Sequence, residues 1–298
     1  MSNIKYSIIH HGGSCADGFM AAWLMYHSLK EDDTEFTYEL IPMHYNDPLP
    51  EIKGKHVYIV DFSLPIEELL KMTASGKSVV MLDHHKTAAD LYGGYGEITK
   101  CEHIYISILE QYSGCGMVLN AILENGSSGF ITPRITLVSN AIQDRDLWKF
   151  KLPNTEIICS IMRSVPMTIE TWDNVLLEET DQEFNERFLR ANYYHQHNLE
   201  LANSMAEKAT LIQFQGYTIP IVNCVQNISV TGNILSNKYN MSMSYFITDT
   251  KVIVSMRSKS KEYDVASLCK IYGGGGHLSS AGFSIQIEQL KDLLEGKL

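Results

Sequence analysis

The run Val79–Val80–Met81–Leu82–Asp83–His84–His85–Lys86–Thr87 joins four apolar residues to an acid and two histidines. A short apolar run with a Val pair fits a buried strand, although a buried helix segment shares the pattern. Titratable groups at the carboxyl end of such a strand stand where open α/β sheets bind ligands. A His pair after a strand is, by itself, more often a hydrogen-bonding loop feature. This one is informative because other strand-like runs in the first half of the chain end in the same way.

Upstream, residues 56–60 (HVYIV) read as a strand ending in Asp61. A helix is predicted from near Pro65, a favourable first-turn residue, with Ile66, Leu69, Leu70 and Met72 on one face. Residues 5–10 (KYSIIH) read as a first strand, running into His11–Gly12–Gly13–Ser14–Cys15–Ala16–Asp17–Gly18 and a helix over 19–29. The Gly-rich turn is either a tight loop or a phosphate cradle. It is not a P-loop, because no Gly-Lys-Ser/Thr follows. Its His11, Cys15 and Asp17 are candidate metal ligands. Residues 36–41 form a further strand. Strands alternating with helices predict βαβ units and a parallel sheet. His11, Cys15, Asp17, Asp61, Asp83, His84 and His85 then fall at carboxyl ends of strands, along one edge.

Downstream, residues 92–96 are Gly-rich and irregular, and helices are predicted over 113–123 and 134–142. The second ends in Gln143–Asp144–Arg145–Asp146–Leu147–Trp148. Its acids form either a surface ion-pair cluster around Arg145 or, for Asp144, which follows Ile135, Val138, Ala141 and Ile142, a group directed into the cluster. Residues 181–208 are polar and lack Gly and Pro, which predicts a long helix. We divide the chain into a domain at 1–185, a connecting helix at 186–210 and a smaller α/β domain at 211–298. That domain has strands at 218–222, 244–247, 251–256 and 283–287 and a helix at 265–271. Gly273–Gly274–Gly275–Gly276 precede His277. Four glycines are read as backbone that approaches an anion, rather than as a packing device or a linker. Arg257, Ser258, Lys259 and Lys261 would add charge. The expected fold class is α/β: a parallel sheet with helices on both faces, then the smaller domain.

The 298 residues are 45% hydrophobic, enough for sizeable cores, and carry a net charge of −11, which disfavours non-specific binding to long duplex nucleic acid. The six cysteines are scattered without a CxxC pair, which argues against a disulfide framework or a structural zinc site. No leader-like or membrane-length apolar run is evident, so a cytoplasmic location without a membrane partner is expected.

In order along the chain stand His-x3-Cys-x-Asp-Gly, Val-Asp, Asp-His-His, Gln-Asp-Arg-Asp-Leu-Trp and Gly-Gly-Gly-His-x3-Ala-Gly. This set resembles the DHH phosphoesterase superfamily with a DHH-associated C-terminal domain, in its RecJ-like and oligoribonuclease-like branch. The final glycine motif argues against the pyrophosphatase branch. The resemblance implies two manganese ions, with Mg2+ or another divalent ion as the alternative. His11 and Asp61 would hold one, and Asp61, Asp17, His84 and Asp144 the other. Asp83 would orient a ligand, and His85 would face the scissile phosphate. Arg257, Ser258, Gly274, Gly275, Gly276, His277 and Gly282 would bind substrate from the second domain. Many members carry Asp where this chain has Cys15, a softer donor that binds metal only once deprotonated. The implied activity is metal-dependent hydrolysis of phosphoester bonds in short single-stranded oligonucleotides or small nucleotides, by a phosphodiesterase or exonuclease. A phosphomonoesterase, an exopolyphosphatase and a silent nucleotide-binding protein are the alternatives, and a homodimer is left open.

Overall fold

The computed structural model describes residues 4–45, 47–126 and 128–298, without the side chains of 99–101 and 277. The chain divides into two compact units, Met1–Ala191 and Asn192–Leu298. The first contains β1 (Tyr6–His11), α1 (Ala16–Asp32), β2 (Tyr38–Met43), β3 (His56–Val60), α2 (Ile66–Ala74), β4 (Ser78–Asp83), α3 (Lys86–Tyr92), β5 (Gly96–Cys101), β6 (Ile104–Ile108), α4 (Gly114–Asn125), α5 (Pro133–Asp146), α6 (Thr155–Arg163) and α7 (Ile169–Asp173). A π-turn, Asn174–Glu178, extends α7, and α8 (Asp181–Ala206) runs on into the second unit.

The first sheet has the order β2-β1-β3-β4-β6-β5 and is parallel except for the edge strand β5. Successive strand residues point to opposite faces, and here both faces are apolar. Ile8, Val60 and Leu82 pack in a core with α1, α4, α5 and α6. Their neighbours Ile9, Ile59 and Met81 pack in another with Leu69 and Met72 of α2 and with Ala88 and Ala89 of α3. Helices therefore cover both faces, as the continuous apolar runs required. α1 is buried almost all round, from Asp17 to Tyr26, because it lies between the sheet and α4 and α5. The order reverses between β1 and β3, so the chain has its topological switch point at their carboxyl ends.

One cluster on α1 carries a pH-dependent penalty. His27 lies against Trp23, Tyr26 and Phe130, with its Nε2 2.8 Å from Asp173 Oδ1. Burial lowers its pKa, against the pull of Asp173. The unfolded chain then takes up the proton first, near pH 6.5. Stability is present above that pH and is lost as pH falls toward the folded value, by at most about 1.4 kcal/mol per pH unit for this one group. Thermal denaturation between pH 7 and 5 is expected to show a falling midpoint in the wild type. His27→Gln, which keeps a donor for Asp173, should give a shallower fall. Equal slopes in the two proteins would rule His27 out as the source.

The second unit comprises β7 (Thr210–Phe214), β8 (Tyr217–Asn223), α9 (Ile228–Tyr239), β9 (Met241–Ile247), β10 (Lys251–Ser258), α10 (Val265–Ile271), β11 (Gly275–His277), β12 (Ser280–Gln286) and α11 (Leu290–Leu294). Its sheet, β11-β12-β10-β9-β8-β7, is antiparallel except for β8 and β9. Among the described residues no helix is long and apolar enough to cross a membrane.

The glycine run corrects the sequence reading, because most of it is structural. Gly273, at φ +73°, ends α10 in the left-handed region that glycine favours. A Cβ on Gly274 would lie 2.1 Å from the Gly282 carbonyl oxygen, and one on Gly276 would lie 2.6 Å from the Ala281 Cα. Close pairing of β11 with β12 needs both. Gly275 is the member of the run under neither constraint: its φ is not left-handed, and a Cβ there would meet nothing within 4 Å.

Candidate metal centre

β1, β3 and β4 are adjacent, and their register aligns their ends. His10 pairs with Val60, and Val60 with Leu82. The next residues, His11, Asp61 and Asp83, therefore form a row across three strands about 4.8 Å apart. Asp61 leaves the strand in the left-handed region, φ +54°, while its N–H still donates to the Leu82 carbonyl at 2.9 Å. Such strain in a non-glycine residue collects at functional sites. α4 begins so close that a Cβ on Gly114 would lie 2.3 Å from the Asp61 Cβ.

The two oxygens of Asp61 face different partners. Oδ1 is 3.1 Å from His84 Nε2, whereas Oδ2 is 3.4 Å from Cys15 Sγ and 3.7 Å from His11 Nδ1. His84 Nε2 also lies 3.4 Å from Asp146 Oδ2 and 3.8 Å from Asp17 Oδ2. Two donor trios result: His11, Cys15 and Asp61, and Asp17, His84 and Asp146, the ligand atoms of each within 4.8 Å of one another.

Asp17 and Asp83 are held by other elements. The Asp17 carboxylate accepts from the Ser113 hydroxyl at 2.7 Å and from the Gly114 and Cys115 amides at 2.7 and 3.1 Å, at the N-terminus of α4. Those amides have no partner within the helix. Asp83 is fully buried, and its Oδ1 lies 2.7 Å from both the His84 amide and the His85 Nδ1. Its other oxygen accepts from the Ser63 hydroxyl. Asp83 thus holds the His85 ring and the backbone amides of both histidines.

Burial, then the like charges of Asp61 and Asp146, push Asp17 well above the usual carboxylate range. Burial likewise raises Asp146. Burial also opposes ionisation of Asp61, but the His11 and His84 imidazoles hold it low. For His84, burial is outweighed by Asp61, Asp17 and Asp146, which lift it to about 9. Burial, then Asp61, raises the Cys15 thiol, which stays protonated and donates to Asp61.

This donor set fits divalent cations. His11 Nδ1 is buried without a hydrogen-bond partner and lies against an anionic oxygen. Three carboxylates share a space in which they ionise together only if cations neutralise them. Carboxylate and imidazole donors suit Mn2+ or Mg2+.

The structure brings His11, Cys15, Asp17, Asp61, Asp83, His84 and His85 together at this edge, but not the Asp144 carboxylate. That carboxylate accepts from the Lys151 and Leu152 amides at 2.9 and 3.1 Å and from the Thr155 hydroxyl at 2.6 Å. Burial opposes this anion, but those bonds hold its pKa below the usual range. Asp146, two residues on and 31% exposed in its side chain, takes the place beside His84. The sequence reading also missed Tyr45, whose ring stacks on Phe62 at 4.8 Å and lies 5.7 Å from the His11 ring. Its signal was available, since it too follows the carboxyl end of a strand.

Two family models match the chain: the DHH family, N-terminal domain, over residues 5–142, and the DHHA1 domain, over residues 225–296. The chain belongs to the DHH family. It is a DHH superfamily phosphoesterase with a C-terminal DHHA1 domain. It is 24% identical to an uncharacterised protein of Acanthamoeba polyphaga mimivirus, over 94% of this chain and 68% of that protein. Among solved structures it is similar to the pGpG-specific phosphodiesterase PggH of Vibrio cholerae (TM-score 0.52, 9% identity, 98% and 96% of the two chains). It is also similar to RecJ of Thermus thermophilus in complex with Mn2+ (TM-score 0.47, 13% identity, 98% and 51%). The likeness to the Vibrio chain is one of fold.

In the DHHA1 domain the expected substrate groups have structural partners. The Arg257 guanidinium donates to the Met256 carbonyl and the Ser229 hydroxyl, both at 2.9 Å. The Ser258 hydroxyl donates to the Ser260 carbonyl at 3.1 Å. The side chain of His277 lies outside the described residues.

Proposed function

We propose that this DHH phosphoesterase is a metal-dependent phosphodiesterase of short single-stranded oligonucleotides or small nucleotides. The observation that carries the reading is Asp61, which presents one oxygen to each of two donor trios. His11 and Asp61, joined by Cys15 once its thiol is deprotonated, would hold one divalent cation, and Asp61, Asp17, His84 and Asp146 a second, with Mn2+ the first choice. Such a pair supplies charge neutralisation and Lewis acidity at the scissile phosphate.

The chain's own groups set the geometry. Asp83 fixes the His85 ring through Nδ1, which leaves Nε2 for the phosphate or the leaving oxygen. Asp17 ties the cluster to α4, so ligands from separate elements stay in place as charge changes. In the DHHA1 domain, Gly275 has open space at its Cα and presents backbone to an anion, with Gly274, Gly276 and Gly282 setting the strand pairing around it. Arg257, Ser258 and His277 are the side chains assigned to substrate there. The retained His11, Asp17, Asp61, His84 and Asp146 argue against a silent binding protein, and the net charge of −11 favours short substrates over long ones. The cytoplasm is the compartment this reading assigns.

Purified protein with added Mn2+ and a chelated control, assayed on dinucleotides, five-residue RNA and DNA oligomers, cyclic dinucleotides and polyphosphate, tests the proposal. Metal-dependent cleavage of a nucleotide class is expected. Cleavage of polyphosphate alone would replace it with exopolyphosphatase activity. Silence from metal-loaded protein across the panel would refute phosphodiesterase activity.

A further inference from the structure

The segment after α5 displays two aromatic rings just beyond Asp146 in the chain. Trp148 and Phe150 are 56% and 38% exposed, and their rings meet edge to face at 4.8 Å. Both residues sit in the left-handed region, φ +54° and +46°, where neither side chain is at ease. Asp144 imposes this conformation. Its carbonyl accepts the Lys149 and Phe150 amides at 2.9 and 3.4 Å, and its carboxylate accepts those of Lys151 and Leu152. The Trp148 amide donates to the Arg145 carbonyl at 3.0 Å. Every amide from 148 to 152 is thus held, and an acid in the expected metal-binding motif is spent on holding them.

Leaving a tryptophan and a phenylalanine in water forfeits apolar burial, and holding both in strained backbone adds to that loss. The arrangement is explained if a ligand covers the rings. Its place names the ligand. Trp148 is two residues from Asp146, so their Cα atoms are at most about 7 Å apart, a separation of the order of one nucleotide. The sequence Trp148–Lys149–Phe150–Lys151 alternates aromatic faces with cations, the combination that binds single-stranded nucleic acid by stacking bases and attracting the backbone.

We propose that Trp148 and Phe150 form a stacking platform for a nucleobase of the substrate, with Asp144 as its positioning residue. The proposal rests on the phosphodiesterase reading and makes the enzyme selective for phosphodiesters that carry bases.

The test compares an adenine dinucleotide with the same molecule stripped of its bases. Wild-type enzyme in Mn2+ is expected to show a KM about 5- to 100-fold lower for the dinucleotide, the range for one stacked base. Trp148→Ala should lose that preference through KM rather than kcat, and Trp148→Phe should restore most of it. A wild type indifferent to the bases, or Trp148→Ala that keeps the preference, overturns the platform.

Tryptophan fluorescence gives a readout independent of turnover, because Trp23 and Trp172 are fully buried and Trp148 is not. The dinucleotide should quench it and the base-free analogue should not. If wild type cleaves neither molecule, the phosphodiesterase reading is judged on the wider substrate panel, and the titration decides the platform: quenching by the dinucleotide upholds it, and no quenching overturns it.

Discussion

Asp61→Asn is expected to lower metal-dependent hydrolysis about a thousandfold, the rate equivalent of roughly 4 kcal/mol, and to leave the chain folded. Asparagine is nearly isosteric and tolerates the left-handed backbone that Asp61 adopts, so the strand end and its bond to Leu82 should survive. The loss is one of charge. The group that faces both donor trios becomes a neutral amide, which cannot serve as the anion shared between His84 on one side and His11 and Cys15 on the other. Measured kcat/KM on the preferred substrate, with Mn2+ stoichiometry by calorimetry and far-UV circular dichroism, separates the two effects. Turnover within tenfold of wild type would end the case for Asp61 as the shared ligand.

Asp83→Ala should damage fold and activity together. The carboxylate is fully buried and accepts from the Ser63 hydroxyl, the amides of His84 and His85, and the His85 ring. Truncation removes the acceptor shared by all of those donors, at a cost of about 3–5 kcal/mol. The His85 ring loses its partner and the turn through His84 loses its acceptor, so hydrolysis should fall as well. Denaturant titration of the metal-free protein gives the stability change without interference from metal binding. A change below about 1 kcal/mol would mean that the hydrogen bonds of Asp83 are dispensable. The pair of variants is diagnostic, because Asp61 should act on turnover alone and Asp83 on both quantities.

Much of the first unit was legible because strand burial repeats locally. The runs ending at Val60 and Asp83 are apolar on both faces, which only a sheet covered on both sides satisfies. The hairpin of β5 and β6 was not legible. Its pairing is antiparallel with a register shift after Thr99, and its Gly-rich approach resembles a loop. β7 and α9 were missed for a related reason: their exposed faces dilute the apolar signal.

At the centre, the sequence reading named Asp144 as the metal ligand, whereas the structure sets Asp146 beside His84. Residues two apart on a helix point to nearly opposite sides, so periodicity could direct either acid inward. The answer came from the turn at 149–155, whose amides and Thr155 hydroxyl claim Asp144 and leave Asp146 to His84.

By itself, the sequence determined the alternation of strands and helices, the row of acids and histidines at the strand ends, and membership of the DHH family, because these depend on local periodicity and ordered motifs. Only the tertiary structure decided that Asp61 turns left-handed between two donor trios, that Asp17 caps α4, that Asp144 supports an aromatic loop, and that Gly274 and Gly276 of the glycine run serve strand pairing. Each of those outcomes depends on which distant donor or backbone arrives within about 3 Å, and that is set by packing between elements far apart in the chain.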